Sequence, residues 1–170
     1  VGPTCLFGSN TRMPLLLTHN ITVGDFKTTH YIEVLHQMLG KFCGATEKTD
    51  PVLPLVAEGD RAAVDKFLSR LGAHRYLIGL CVKTNPLKTW PKERFAALID
   101  RLAEKYDAAF YVIGQHHDRR YVDELGALTN AAVANFCGET TISQLIEMLQ
   151  RTDLFISLDT APMHIASVLN

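Results

Sequence analysis

Two rhythms of apolar residues alternate through the second half of the chain. Short apolar runs fall at residues 76–82, 109–113, 133–136 and 154–158. Their length and content predict buried strands. Between them the spacing changes to 3.6, most regularly at Phe95, Leu98, Ile99, Leu102 and Tyr106 behind Pro91, then over residues 118–128, then at Ile142, Leu145, Ile146 and Leu149 behind Thr140 or Thr141 as a cap. Strands separated by single helices and short loops require right-handed crossovers and a parallel sheet. Residues 76–170 are therefore expected to form a four-stranded, Rossmann-like half sheet. Its last strand stops at Asp159 and Thr160, both good cap residues, and Pro162 leads into a helix with Ile165, Ala166, Val168 and Leu169 on its apolar side.

The first half is less regular. Residues 1–27 carry breakers at Gly2, Pro3, Gly8, Asn10, Pro14, Asn20 and Gly24 around an apolar patch at 15–17, and read as loop with one or two short strands, Leu6 and Phe7 forming one strand tail. A helix begins near Thr28, with Ile32, Leu35, Leu39 and Phe42 on one face and Gly44 past its end. Pro51 and Pro54 punctuate a candidate edge strand at 52–56. A second helix over 59–71 shows Val64, Phe67, Leu68 and Leu71 on one side and stops at Gly72. The irregular stretch 44–76 is the candidate domain boundary. An opening on a strand tail and an end one helix after Leu158 suggest a piece of a longer protein.

The 170 residues are 47% hydrophobic, enough for a core, and 17 basic against 18 acidic residues leave a net charge of -1. Such a balance gives no electrostatic footprint for nucleic acid. No apolar run has membrane-spanning length, and a cytoplasmic location is the expectation. Cys5, Cys43, Cys81 and Cys137 are widely spaced, three of them in or beside apolar segments, which predicts reduced core thiols.

In a parallel sheet the loops that follow the strands open on one edge, so residues 83–90, 114–118 and 159–164 become neighbours. Their contents suit an anionic nucleotide. Lys83 and Lys88 can meet phosphate charge, and Thr84, Asn85, Thr89 and Thr160 carry donors. Asp118 can accept from a ribose, Asp159 from a sugar, and His164 faces the same space as the positive end of the last helix. The plainer alternatives are solvated lysines, an ordinary acid in a helix first turn and an ordinary strand-to-helix turn. No dinucleotide glycine fingerprint, phosphate-binding P-loop or nucleophile elbow occurs. His116 and His117 are adjacent and lack a second ligand pair, so no metal site is expected. His19, His30 and His36 read as surface or cap residues.

KTWPKERFAALIDRL at 88–102, FCGETTISQLIEML at 136–149 and SLDTAPMHIAS at 157–167 together resemble the C-terminal domain of glycosyltransferase family 9, the lipopolysaccharide heptosyltransferases. LLLTHNITVGDFKTTHYIEVLHQMLG at 15–40 is similar to the closing part of that family's N-terminal domain. The resemblance implies a GT-B fold, with residues 1–72 as the tail of an acceptor-side domain and 73–170 as an incomplete donor-nucleotide domain. It implies an inverting, metal-independent enzyme, without cofactor, that moves heptose from an ADP-sugar to a lipid-linked saccharide acceptor at the inner membrane surface. Lys88 would then neutralise the donor diphosphate, helped by Thr84, Thr160, Ala161 and His164. Asp159 would contact the heptose and Asp118 the adenosine ribose. The catalytic base would come from the N-terminal part outside this chain, which alone would be inactive. Two departures stand out: the family's glycine is Ala161 here, and its usual Pro-Gly after the first strand is Val82-Lys83. They keep open a catalytically inactive binding or scaffolding member, and a GT-B sugar-nucleotide epimerase stays open beside it.

Overall fold

The computed structural model of the chain describes residues 2–3, 5–6, 9–10, 20–21, 28–44 and 52–169. The apolar patch at 15–17, Phe7 and His19 lie outside them. The chain divides into two compact units, Val1–Pro51 and Val52–Asn170.

In the first unit, β1 (Gly2–Pro3) pairs in parallel with β4 (Asn20–Ile21), and β2 (Cys5–Leu6) pairs antiparallel with β3 (Ser9–Asn10). The helix expected after Thr28 is α1, Tyr31–Cys43. His30 caps its start, Nδ1 accepting from the Ile32 N–H at 3.3 Å. Gly44 ends it at φ 72°, the left-handed conformation that glycine adopts without a β-carbon penalty. Val34 is buried, whereas the stripe Ile32, Leu35, Leu39 and Phe42 is exposed. So is Cys43, against the expectation of a core thiol.

The second unit opens on extended chain. No strand forms at 52–56: Val52 and Leu55 stand almost wholly in solvent, and Pro54 has no N–H with which to join a ladder. Helix α2 (Glu58–Leu68) continues as a 3₁₀ turn, Ser69–Leu71, and stops at Gly72. The order is then β5 (Tyr76–Cys81), α3 (Lys92–Lys105), β6 (Ala108–Val112), a 3₁₀ turn (His116–Asp118), α4 (Arg119–Gly126), β7 (Val133–Asn135), α5 (Ile142–Gln150), β8 (Leu154–Ser157) and α6 (Ala161–Leu169).

The four strands form one parallel sheet in the order β7-β6-β5-β8. The chain steps outward from β5 to β7 and then returns to lie on the other side of β5. With right-handed crossovers, that reversal puts α3 and α4 on one face and α5 on the other. Both faces are covered, so each strand sends alternate side chains to opposite cores. Leu77 and Cys81 of β5 join Tyr111, Phe136, Met148 and Val64 of α2 on one face; Ile78 and Leu80 join Phe95, Ile99, Phe110 and Leu125 on the other. Helix α2 thus packs with the sheet that follows it. Two further details differ from the pattern. Ile142, expected inward, is 68% exposed, and Glu147 on the same helix is buried. On α6, Ile165, Ala166 and Leu169 pack against the core but Val168 is exposed. No helix among the described residues is long and apolar enough to cross a membrane.

Candidate functional site

Open parallel sheets bind ligands beyond the carboxyl ends of their strands, where the strand order reverses. Here that point lies between β5 and β8. A cleft of about 630 Å³ opens there, lined by residues from Cys81 to Pro86, from Ile113 to Asp118, and by Thr160, Ala161 and Pro162. Its volume is in the range of small-molecule sites.

The loop after β5 is built by its own polar side chains. Asn85 Oδ1 accepts from the Leu87 N–H at 3.0 Å, its carbonyl accepts from the Lys88 N–H at 2.8 Å, and Thr89 Oγ1 donates to the Thr84 and Asn85 carbonyls. Such an Asx turn fixes the path of the chain. Thr84 Oγ1 then donates to the Asp159 carbonyl at 3.1 Å, and Lys88 Nζ reaches Asp159 Oδ2 at 2.7 Å. These two bonds tie the loop after β5 to the loop after β8, 71 residues away at the ion pair. Lys88 and Asp159 are both exposed, with His164 Nε2 4.0 Å from Asp159 Oδ1. The Lys88 hydrogen bond holds the Asp159 carboxyl below the usual carboxylate range.

Thr160 stands just before α6, but its hydroxyl turns to the strand ends: 3.2 Å from the Leu158 carbonyl, 3.1 Å from Ser157 Oγ and 3.6 Å from Cys81 Sγ. Cys81 lies at the cleft floor, where burial pushes its thiol pKa up, so it is a poor nucleophile. Ala161 is the first residue of α6. Helical backbone suits alanine, so the departure from glycine carries no conformational strain.

Asp118 is buried to 7% exposure. Its Oδ2 accepts from the Gln115 N–H at 3.0 Å while the Gln115 side chain accepts from the Asp118 N–H, a reciprocal cap on the 3₁₀ turn. Its Oδ1 faces the cleft, with Lys83 Nζ at 3.7 Å and His117 Nε2 at 3.6 Å.

Of the seven residues proposed from the sequence, Thr84, Asp118, Thr160 and Ala161 line the cleft. Lys88, Asp159 and His164 cluster together, outside the cleft's lining. The wall formed by Thr140, Thr141, Ile142 and Leu145 was missed. Its signal was available, because the loop after β7 opens on the same edge as the other three. It reaches the cleft through Gly138, whose N–H donates to the Gly114 carbonyl at 2.9 Å and whose φ is 72°.

Fold and site together define a Rossmann-like α/β domain whose switch point carries a cleft lined by apolar side chains together with Lys83, Asp118 and several threonines. The chain belongs to glycosyltransferase family 9 (heptosyltransferase), whose family pattern matches residues 7–170. Lipooligosaccharide heptosyltransferase 2 of Haemophilus ducreyi is 29% identical over 128 residues, 71% of this chain and 36% of its own length. ADP-heptose lipopolysaccharide heptosyltransferase II of Escherichia coli superposes with a TM-score of 0.59 at 26% identity, over 72% of this chain and 39% of its own. A family 9 glycosyltransferase of Veillonella parvula superposes with a TM-score of 0.70 at 25% identity, over 89% of this chain and 44% of its own. The chain spans about a third of the length of the curated relatives it matches.

Proposed function

We propose that the whole protein is a heptosyltransferase that takes heptose from ADP-heptose to a lipopolysaccharide core acceptor, and that the cleft described above holds the donor nucleotide. The observation that carries the reading is the meeting of Lys88 with the turn that starts α6, across loops that follow two different strands. A diphosphate placed there gains a lysine ammonium and the positive end of a helix dipole. The same two groups stabilise the charge that grows on ADP as it departs, which makes a metal unnecessary and suits direct displacement with inversion. Asp159 holds Lys88, and in this reading it exchanges that cation for a sugar hydroxyl when the donor binds. The acceptor and the base that activates it belong to the other half of the protein, at the cytoplasmic face of the inner membrane. Family membership and the names of the Haemophilus and Escherichia relatives support this reading.

Isothermal titration of the full-length protein with ADP and ADP-heptose tests it. Both should bind, and Lys88→Ala should weaken both by roughly 10- to 100-fold, the loss of one charge-assisted contact. Failure to bind any nucleotide sugar would end the reading. Turnover by the full-length protein excludes an inactive binding module, and heptose released without acceptor would mark an epimerase.

A further inference from the structure

The two lysines of the loop after β5 point to opposite sides of that strand. Lys88 goes to Asp159, beyond β8. Lys83 goes the other way, to Asp118, beyond β6. There its ammonium lies 3.7 Å from Asp118 Oδ1 and 5.2 Å from the centroid of the Tyr121 ring, so an aromatic face and a carboxylate hold it from two sides. At 3.7 Å the contact with Asp118 is an ion pair longer than a hydrogen bond, and the ammonium keeps donors to offer. Asp118 has one oxygen committed to the Gln115 amide and the other turned to Lys83, with His117 Nε2 also 3.6 Å from it. Both residues line the cleft. An acceptor and a donor thus stand side by side, partly neutralising each other.

We infer that Lys83 is a specificity-determining residue of the nucleotide site: with Asp118 it presents a donor and an acceptor to the two hydroxyls of a ribose, and it is not a second phosphate ligand. The inference rests on the nucleotide-sugar reading above. A vicinal diol needs what this pair supplies, because one hydroxyl can donate to Asp118 Oδ1 while its neighbour accepts from the ammonium. A diphosphate instead is met where Lys88 joins the loop that starts α6 and its positive dipole end, and Lys83 stands on the other side of β5, beside Asp118. The chain therefore divides its loop lysines between the two ends of one ligand.

The test uses the full-length protein and three probes: ADP, 2′,3′-dideoxy-ADP and inorganic pyrophosphate. The wild type should prefer ADP over the dideoxy analogue by about tenfold or more, the worth of hydrogen bonds to charged groups. Lys83→Met keeps the stem of the side chain and removes the charge; it should erase most of that preference and leave pyrophosphate binding unchanged. Lys83→Arg should restore the preference. Equal weakening of ADP, its dideoxy analogue and pyrophosphate in Lys83→Met would make Lys83 a phosphate ligand and overturn the inference. An unchanged preference in that variant would overturn it too. If the wild type binds ADP without regard to the hydroxyls, this inference fails alone; if it binds no nucleotide, the nucleotide-sugar reading has failed first.

Discussion

A β-carbon built on Gly79 would lie 2.4 Å from Tyr111 Oη and 3.0 Å from Phe155 Cδ2. Tyr111 cannot give way easily, since it is fully buried and its hydroxyl pairs with Thr152 Oγ1 at 2.7 Å. Gly79→Ala should therefore cost about 1–3 kcal/mol or more by overpacking, read as a lower urea midpoint at unchanged slope. At Gly138 the obstruction is main chain: the added carbon would meet His116 Cα at 2.7 Å, and φ 72° already disfavours a side chain. Gly138→Ala should lower stability and weaken ADP binding together, because Gly138 holds the Thr140 wall against the turn that carries Asp118. Charge at the next residue gives a pH dependence. Glu139 is held below the usual carboxylate range by the Arg119 guanidinium at 2.6 Å, with Arg70 adding to it. An unfolded glutamate titrates near about 4.3, so the stabilisation is present above that pH and is lost as acidification passes the lower folded-state value. Thermal midpoints measured at falling pH should drop through this window. Glu139→Gln should start lower at neutral pH and fall less steeply.

Helices α2 and α5 are joined by an ion network as well as by apolar contact. Glu147 on α5 is 7% exposed and pairs with Arg151 Nη2 at 2.6 Å and Arg61 Nε at 3.7 Å; Arg151 also pairs with Asp65 of α2. Removing Arg151 leaves a buried carboxylate facing one distant partner. Arg151→Ala should cost roughly 1–3 kcal/mol, below the usual loss for a fully buried pair because the arginine itself is a third exposed. Adding Glu147→Leu should recover most of it, since no unpaired charge then remains; chemical denaturation of the single and double variants decides. This network also shows where the sequence was readable and where it was not. The 3.6 period located α3, α5 and α6 because their apolar residues face a sheet. It assigned Ile142 inward and passed over Glu147, because a helix beside a cleft exposes part of its apolar stripe and a paired carboxylate can occupy a core position. The candidate strand at 52–56 failed for a similar reason: apolar content favours a strand only where a neighbour supplies hydrogen bonds. In the site, parallel topology was enough to gather Lys88, Asp159 and Thr160 at one edge. The direction of Lys83 was not legible, because it depends on a carboxylate positioned by the Gln115 backbone and on a ring from α4.

The strand order places the whole candidate cleft within one unit. Its lining runs from Cys81 to Pro162, and the apolar residues that cover both faces of the sheet run from Val64 to Leu169. The unit begins at Val52 with an exposed segment that adds nothing to either cluster. A chain starting at Val52 should consequently fold without residues 1–51 and unfold in one cooperative transition, with near-ultraviolet and far-ultraviolet signals coinciding. If the cleft is the nucleotide site, ADP must bind that shortened chain as well. Ligand at a hundred times its dissociation constant adds about 2.7 kcal/mol to the folded state, which should raise the thermal midpoint by several degrees. Lys88→Ala in the same shortened chain should reduce that rise. A shortened chain with helical signal but no cooperative transition would show that the core draws on residues before Val52. A cooperative chain whose midpoint ADP leaves unmoved would show that the nucleotide needs groups from outside the sheet's own edge.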